Sequence, residues 1–366
     1  MLRTLARETL RAGTATCFSL GHRAGLVAVD PAPVQFVIEP QDWAIRRVGE
    51  SVRDGANAAR PGTVATTTEP LRIFDRIVHF GSQYMWLAWR RHMARSNRYV
   101  TSFLHGKPED GPDVARHIKE FLASVPDLAR IVASNGIVEQ RLRAWGVPTE
   151  KLVRIPLGVD TRLFVPVDPA ARAAARLRFG VPEGHVCIGS FQKDGVGWGD
   201  GMEPKLIKGP DLFVEAIAQI HRQQPVFVLL TGPARGYVKQ GLERHGVPYR
   251  HEYLDDYHGL TACYHALDLY LMTSREEGGP LAIMESMASG TPVVSTRVGM
   301  GPDLIVDGVT GGLVDIDADA LAAGALTLLA RGDLEPLVAA AREAVMVADW
   351  RRIAEQHLEL VYRPLL

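Results

Sequence analysis

The sequence predicts an α/β protein made of two parallel-sheet domains, and three observations carry that prediction. Short apolar runs alternate with amphipathic stretches along most of the 366 residues. That alternation is what parallel sheets covered by helices require. The runs fall into two series, separated by a charged, Ala-rich connector at residues 161–184. The composition is 46% hydrophobic and 23% charged, which suits two soluble cores and excludes a mainly disordered chain.

In chain order, residues 1–33 read as an arm. Leu2, Leu5, Ala6 and Leu10 fall near helical spacing, with Arg3, Arg7 and Arg11 four apart. The 7–15 residue apolar run of a secretory signal is missing. The arm is expected to pack on the protein or stay loosely ordered, and a short membrane-surface helix is the alternative. Strands are expected at Val34–Ile38, Ile77–Phe80, Tyr99–Leu104, Ile131–Ala133 and Leu152–Ile155, forming a first domain over 34–160. Asn135 suits the cap of the helix that begins near Gly136.

A helix over Ala170–Arg178, ended by Gly180 and Pro182, marks the connector. The second series has strands at Val186–Gly189, Val226–Leu230, Leu267–Leu271 and Pro292–Ser295. Helices are expected at Asp211–His221, Asp256–His265 and Leu281–Ser289, giving a second domain over 185–346. A terminal helix spans 347–366, with Asp349 as its expected cap and apolar residues at helical spacing from Trp350. Two such series read as Rossmann-like domains facing a central cleft.

The net charge of −1 conceals an asymmetry. Residues 1–160 hold 22 Lys and Arg against 16 Asp and Glu, and the remainder holds 19 against 26. The excess sits in Arg46 and Arg47 and in the run Arg90, Arg91, Arg95, Arg98. A solvated helix face is the plainer reading of such a run. An anionic acceptor or an acidic lipid surface is the sharper one, which leaves peripheral membrane contact open. Cys17, Cys187 and Cys263 form no C-x-x-C, which argues against a disulfide scaffold or zinc site and fits a reducing cytoplasm. No run of about 18 apolar residues spans a membrane.

The most informative stretch is Leu269–Val314, LYLMTSREEGGPLAIMESMASGTPVVSTRVGMGPDLIVDGVTGGLV. A buried parallel strand opens it, and open α/β sheets bind ligands at the carboxyl ends of their strands. Gly278 and Gly279 permit close backbone approach, and Pro280 suits a first helical position. The helix that follows points unpaired N–H groups at whatever lies over Gly279, Pro280 and Leu281, which makes an anion site. Glu277 and Glu285 bracket it. Carboxylates repel phosphate but suit vicinal hydroxyls, so a diphosphate flanked by polyols, a nucleotide sugar, fits the pattern. Neighbouring Glu276 reads as exposed.

This segment resembles the signature of glycosyltransferase family 4, the Glu-x7-Glu motif of retaining GT-B enzymes. Glu277 and Glu285 have its spacing. S-R-x-E-G-x-P precedes, E-S-M-A-S-G-T-P-V-V-S-T follows, and Gly299-Met300-Gly301-Pro302 and Asp307–Gly312 complete it. The resemblance implies a GT-B fold whose C-terminal helix crosses back to the first domain. It further implies that Glu285 holds the ribose hydroxyls and Glu277 contacts the transferred sugar.

The same resemblance places a cation pair after the first strand of the second domain. Lys208, in K-G-P-D-L-F, matches the lysine. Ser190 stands where the arginine is usual, so Lys193 is the candidate for that role, with Lys205 a weaker one. The loop between them carries Gly195, Gly197, Gly199 and Gly201, which either fold it over the donor or only make turns. Prepositioned cations stabilise a leaving diphosphate without a metal, so no metal or cofactor is expected. Asp315, Asp317 and Asp319 read as loop and capping residues rather than a metal motif.

In the first domain His105, at a strand end, is similar in place to a histidine that contacts donor sugar or acceptor in many relatives. Ile131–Asp160 is similar to the family's interdomain stretch. The first loop, Glu39–Gly49, lacks the usual paired glycines, and Trp43 and Arg46 stand there instead. The implied protein is a cytoplasmic retaining hexosyltransferase that moves a sugar from a nucleotide-diphosphate sugar to a glycan, lipid-linked or small-molecule acceptor, without a nucleic-acid partner. The alternatives are a nucleotide-sugar-binding protein or another GT-B enzyme, an epimerase or phosphorylase.

Overall fold

The computed structural model describes residues 2–41 and 44–366. The chain divides into two compact units, Met1–Leu157 with Trp350–Leu366, and Gly158–Asp349.

The first unit is a six-stranded parallel sheet: β1 Val34–Val37, β2 Val64–Thr67, β3 Ile77–Phe80, β4 Arg98–Phe103, β5 Leu128–Ala133 and β6 Leu152–Arg154, in the order β2-β1-β3-β4-β5-β6. Alternate residues feed opposite faces, as the pleat requires. Val34, Phe36 and Ile77 join one core, with Val48 and Val52 of the helix Ala44–Ala59. Val37, Val78 and Phe80 join the other, with Phe121, Val138 and Leu142. The C-terminal residues return to this unit. Ile353, Ala354, Leu358, Val361 and Tyr362 complete the first core. Buried His79 ties the tail to the sheet, through Nδ1 to the Tyr362 hydroxyl at 2.8 Å.

The N-terminal arm is a helix, Leu2–Arg23, packed against Pro70–Arg72 and Arg90–His92. No described helix is long and apolar enough to cross a membrane.

The second unit is also parallel: β7 Val186–Phe191, β8 Val226–Thr231, β9 Tyr249–Glu252, β10 Leu269–Met272, β11 Val293–Thr296 and β12 Gly312–Val314, ordered β12-β11-β10-β7-β8-β9. The chain runs outward to β9, returns beside β7 at β10, and then runs outward the other way. The order therefore reverses between β7 and β10, where the carboxyl ends of an open α/β sheet make a ligand crevice. Its core joins Ile188, Val228, Leu230, Leu269 and Leu271 to Phe213, Ile217 and Leu321.

Every predicted strand is present within two or three residues at each end. β2, β9 and β12 were missing from the sequence reading, and all three are edge strands. Their sequences, VATT, YRHE and GLV, are short or polar because one edge faces outward. The helix expected over Asp256–His265 is a 3₁₀ turn, Tyr257–Gly259, followed by Leu260–Ala266. Asn135 and Asp317 cap their helices as expected, accepting from the Val138 and Ala320 amides at 2.9 Å. Asp349 accepts the Thr161 hydroxyl at 2.5 Å.

Candidate active site

Both halves of the Leu269–Val314 motif and the Lys208 segment meet at the β7/β10 reversal. The chain leaving β10 runs Thr273, Ser274, Arg275, Glu276, Glu277. Opposite it, Leu206–Lys208 forms a 3₁₀ turn ahead of the helix Pro210–His221. These two segments are sewn together. The Arg275 amide donates to the Ile207 carbonyl at 2.8 Å. Its guanidinium forms a two-pronged pair with Asp211 at 2.8 and 2.6 Å. Burial acts to raise the Asp211 pKa, but the Arg275 hydrogen bond and charge hold it below the usual value. Such fork-to-carboxylate pairs fix geometry as well as charge. Gly209 makes the approach feasible. Its φ is +64°, and a Cβ there would stand 1.9 Å from the Thr273 carbonyl oxygen.

Lys208 and Glu277 come together directly, with Nζ 2.5 Å from Oε1. The Ser274 hydroxyl donates to the same oxygen at 2.8 Å. Glu277 is 9% exposed. Gly299, between β11 and the helix Gly301–Leu304, backs onto Glu277 and Pro280. Its neighbourhood explains why G-M-G-P follows the two glutamates in the motif.

Glu276 is a correction: it is 8% exposed rather than solvated, because its backbone turns in beside Ile207. Pro280 is a second one. It occupies the N-cap of the helix Leu281–Ala288, with extended φ and ψ of −70° and 101°, one place before the expected first helical position. No side chain caps this helix start, so Gly279, Pro280 and Leu281 lie where its N–H groups are still open to a ligand.

Glu285 sits one turn into the helix and is buried. The Tyr257 hydroxyl donates to its Oε1 and the Tyr264 hydroxyl to its Oε2, the latter at 2.8 Å. Burial first, and the Glu285 charge next, push the Tyr264 hydroxyl far above its usual pKa. It therefore stays a donor. Two hydroxyl donors on one carboxylate match the hydrogen bonds a vicinal diol would make.

The loop 192–205 carries the remaining cations, Lys193 and Lys205. Its base is closed by the Lys205 amide donating to the Asp194 carbonyl at 2.7 Å and by the Val196 amide on the Glu203 carbonyl at 2.9 Å. The loop is pinned sideways by the Gly236 and Tyr237 amides on the Asp200 and Gly201 carbonyls, at 2.7 and 2.9 Å. At Gly201, φ is +74° and a Cβ would meet the Ala234 carbonyl at 2.1 Å. The glycines therefore dock the loop as well as turn it. Lys193 lies over the Trp198 ring, with Nζ 3.6 Å from the centroid. The Lys205 ammonium is pushed below its usual pKa by burial of its head group and then by the Lys208 charge. Glu277 opposes this, and Lys193 adds a smaller push in the same direction. Three lysines and Glu277 thus share one electrostatic neighbourhood.

Sequence reading missed the element that roots this loop. Arg235, from the turn after β8, is fully buried at the carboxyl end of β7. Its Nη1 donates to the carbonyls of Ser190, Gln192 and Thr231 at 2.7, 2.9 and 2.8 Å, and its Nη2 donates to the Ser190 hydroxyl at 3.0 Å. Its Nε stands 3.0 Å from the buried Asp194 carboxylate. The serine that replaces the usual arginine is thus covered by an arginine from another strand end. Nothing in the local sequence marks Arg235, because its partners come from 4 to 45 residues away.

In the first unit, His105 follows β4. Its carbonyl accepts from the Gln83 side chain at 2.9 Å, and its ring lies 6.4 Å from that of Tyr84. Tyr84 also stacks on His117 at 4.0 Å. Burial, with His105 adding to it against Glu120, lowers the His117 pKa. Arg46 is engaged by Glu50 and the Pro40 carbonyl, both at 2.9 Å. Trp43 lies outside the described residues.

With the fold and this geometry in hand, the comparisons are consistent. The two parallel units have the GT-B fold. The chain superposes on Anabaena HepE, solved with UDP and glucose, with a TM-score of 0.70 over 91% of this chain and 100% of that one, at 18% identity. Residues 200–331 match the model of the family described as Glycosyl transferases group 1. A D-inositol 3-phosphate glycosyltransferase of Segniliparus rotundus is 30% identical over 204 residues, 52% of this chain and 42% of the relative. A GDP-mannose-dependent alpha-(1-6)-phosphatidylinositol monomannoside mannosyltransferase of Mycolicibacterium smegmatis is 31% identical over 204 residues, 50% of this chain and 48% of the relative. The chain spans about half the length of these two curated relatives.

Proposed function

We infer that the protein is a retaining glycosyltransferase that moves a sugar from a nucleotide-diphosphate sugar to an acceptor hydroxyl in the cytoplasm. The observation that carries this reading is Lys208 held on Glu277 at 2.5 Å beside an uncapped helix start, with Glu285 one turn further on. A lysine and open N–H groups suit a diphosphate, and two buried carboxylates suit the hydroxyls on either side of it. The similarity to named sugar transferases supports the same reading.

In this reading Glu285 binds the ribose diol and Glu277 orients the transferred sugar. The diphosphate draws Lys208 away from Glu277 and engages the backbone N–H groups of Gly279 and Leu281 at the helix start, Pro280 between them having none. Lys193 and Lys205 add positive charge from the loop. As the sugar–phosphate bond breaks, these groups stabilise the negative charge that grows on the leaving phosphate, so no metal is required of the site. The acceptor oxygen bonds to the anomeric carbon on the face the phosphate leaves, and the acceptor proton passes to the leaving phosphate oxygen. His105 is assigned to the acceptor side, where a glycan or lipid-linked hydroxyl would bind.

The test is nucleoside diphosphate release from a panel of donors. Release that falls by about a hundredfold or more in Glu277→Ala supports the reading, since prepositioned polar groups of this kind are worth about 3–4 kcal/mol each. Release unchanged by that substitution removes Glu277 from the site. Donor binding without turnover across acceptor panels would mark a nucleotide-sugar-binding protein instead.

A further inference from the structure

The loop 192–205 also walls an open cavity of about 550 Å³ in the second unit. The other walls are the turn 233–236 after β8, the helix Gly236–Arg244 and the carboxyl end of β9. None of Lys193, Lys205, Lys208, Glu277 and Glu285 lines it. It sits at the β9 edge of the sheet, two strands out from β7, so it lies apart from the β7/β10 reversal. Its volume suits a small ligand. The loop wall is held in place. The Gly236 and Tyr237 amides bind the Asp200 and Gly201 carbonyls, and a Cβ on Gly236 would stand 2.5 Å from the Asp200 oxygen and 2.7 Å from Met202 Sδ.

Two large rings line this cavity and stand in solvent. Trp198 is 63% exposed and Tyr253 75%. Each offers a flat apolar face with one polar edge, the surface that the C–H face of a sugar ring covers. Hydrogen-bonding groups stand beside them. Asp200, Gln240 and Glu243 line the cavity, and Glu243 keeps acceptor capacity after taking the Tyr249 hydroxyl at 2.6 Å. His251 lines it too. Its Nε2–H donates to the Gly232 carbonyl at 2.7 Å, which leaves Nδ1 as an acceptor. Nδ1 is buried without a hydrogen-bond partner, under a Tyr253 ring 4.3 Å away. A buried acceptor left so is costly, and a ligand hydroxyl entering beside Tyr253 would satisfy it.

We propose that this cavity is a binding subsite for a neutral oligosaccharide, with sugar rings against Trp198 and Tyr253 and hydroxyls on Asp200, Gln240 and Glu243. Charge selects the ligand. Arg235 and Lys239 are the lining cations, and Arg235 is engaged by Asp194 and by the backbone around Ser190. The first two amides of the helix Gly236–Arg244 are taken by the loop carbonyls, so its start is closed to an anion. Asp200 and Glu243 repel phosphate but accept hydroxyl protons. The proposal goes beyond the assignment of glycosyl transfer and does not depend on it.

The experiment is calorimetric titration of the full chain with neutral tri- and tetrasaccharides of glucose, mannose and galactose, with inorganic phosphate as the anionic control. Saturable binding of at least one oligosaccharide is expected, unchanged by excess UDP or GDP. An aromatic contact is worth up to about tenfold in affinity, so W198A/Y253A should weaken binding by about tenfold or more. Q240W fills the cavity from the helix and should abolish binding, with folding verified by circular dichroism. Nucleoside diphosphate release should be unchanged in Q240W, so the two readings fail separately. The proposal is overturned if none of the oligosaccharides binds the parent, or if Q240W binds them as the parent does, which would place the sugar elsewhere. It is likewise overturned if Q240W loses phosphate, UDP or GDP binding instead, which would make the cavity part of a nucleotide site.

Discussion

Replacing Arg235 by methionine removes a cation that five groups share. Three carbonyls and one hydroxyl lose a donor at 2.7–3.0 Å, and Asp194, 1% exposed, loses the charge that faces it. Breaking a buried pair from one side costs about 3–5 kcal/mol, and that is the expected loss in guanidinium unfolding at neutral pH. The loss should depend on pH in a definite direction. Burial raises the Asp194 pKa and the Arg235 charge opposes that rise, so the variant lifts it further. A carboxyl whose folded pKa is raised binds more protons folded than unfolded, so stability falls as pH climbs from about 4 through the folded pKa. R235M should therefore be closest to the parent in acid and worst at neutral pH.

The double variant D194L/R235M replaces both charges by apolar groups and should recover most of the stability. Donor KM should stay raised about tenfold in it, because the Gln192 and Ser190 carbonyls that set the Lys193 loop are still unanchored. An R235M protein within about 1 kcal/mol of the parent, or a double variant with normal donor KM, would refute the reasoning.

Three further outcomes follow from the same geometry. Gly209→Ala should lose at least about 2 kcal/mol in thermal unfolding, because a left-handed φ costs an L-residue about 1–2 kcal/mol and the Thr273 carbonyl blocks its Cβ. Parent protein should bind a ribonucleoside diphosphate about tenfold tighter than its 2′-deoxy analogue by calorimetry, and Glu285→Gln should bind the two alike if that carboxylate reads the ribose. The first unit should weaken in acid. Burial lowers the His79 pKa well below its usual value and that of His357 from 6.5 to about 4. Depressed histidines contribute stability that is present above pH 6.5 and lost as pH falls toward the folded pKa. About 3 kcal/mol should therefore disappear between pH 6.5 and 4 from His357 alone, read from unfolding midpoints, and His357→Gln should flatten that slope.

Amino-acid order alone settled the features that depend on local pattern. Buried central strands such as IVHF and LYLM are apolar runs, and their alternation with helices implied parallel sheets. The motif around Glu277 and Glu285 was legible because its parts lie within one stretch of chain and its glycines and prolines have local backbone reasons. Three of the four edge strands were illegible: half-exposed β2 and β9 have no apolar run to mark them, and β12 is only three residues long. Tertiary structure alone decided which charges meet. Lys208 reaches Glu277 across 69 residues, Asp211 holds Arg275 across 64, and Arg235 covers Ser190 across 45. Electrostatic partners are chosen by distance in space, and a parallel sheet brings together strand ends that the chain keeps far apart.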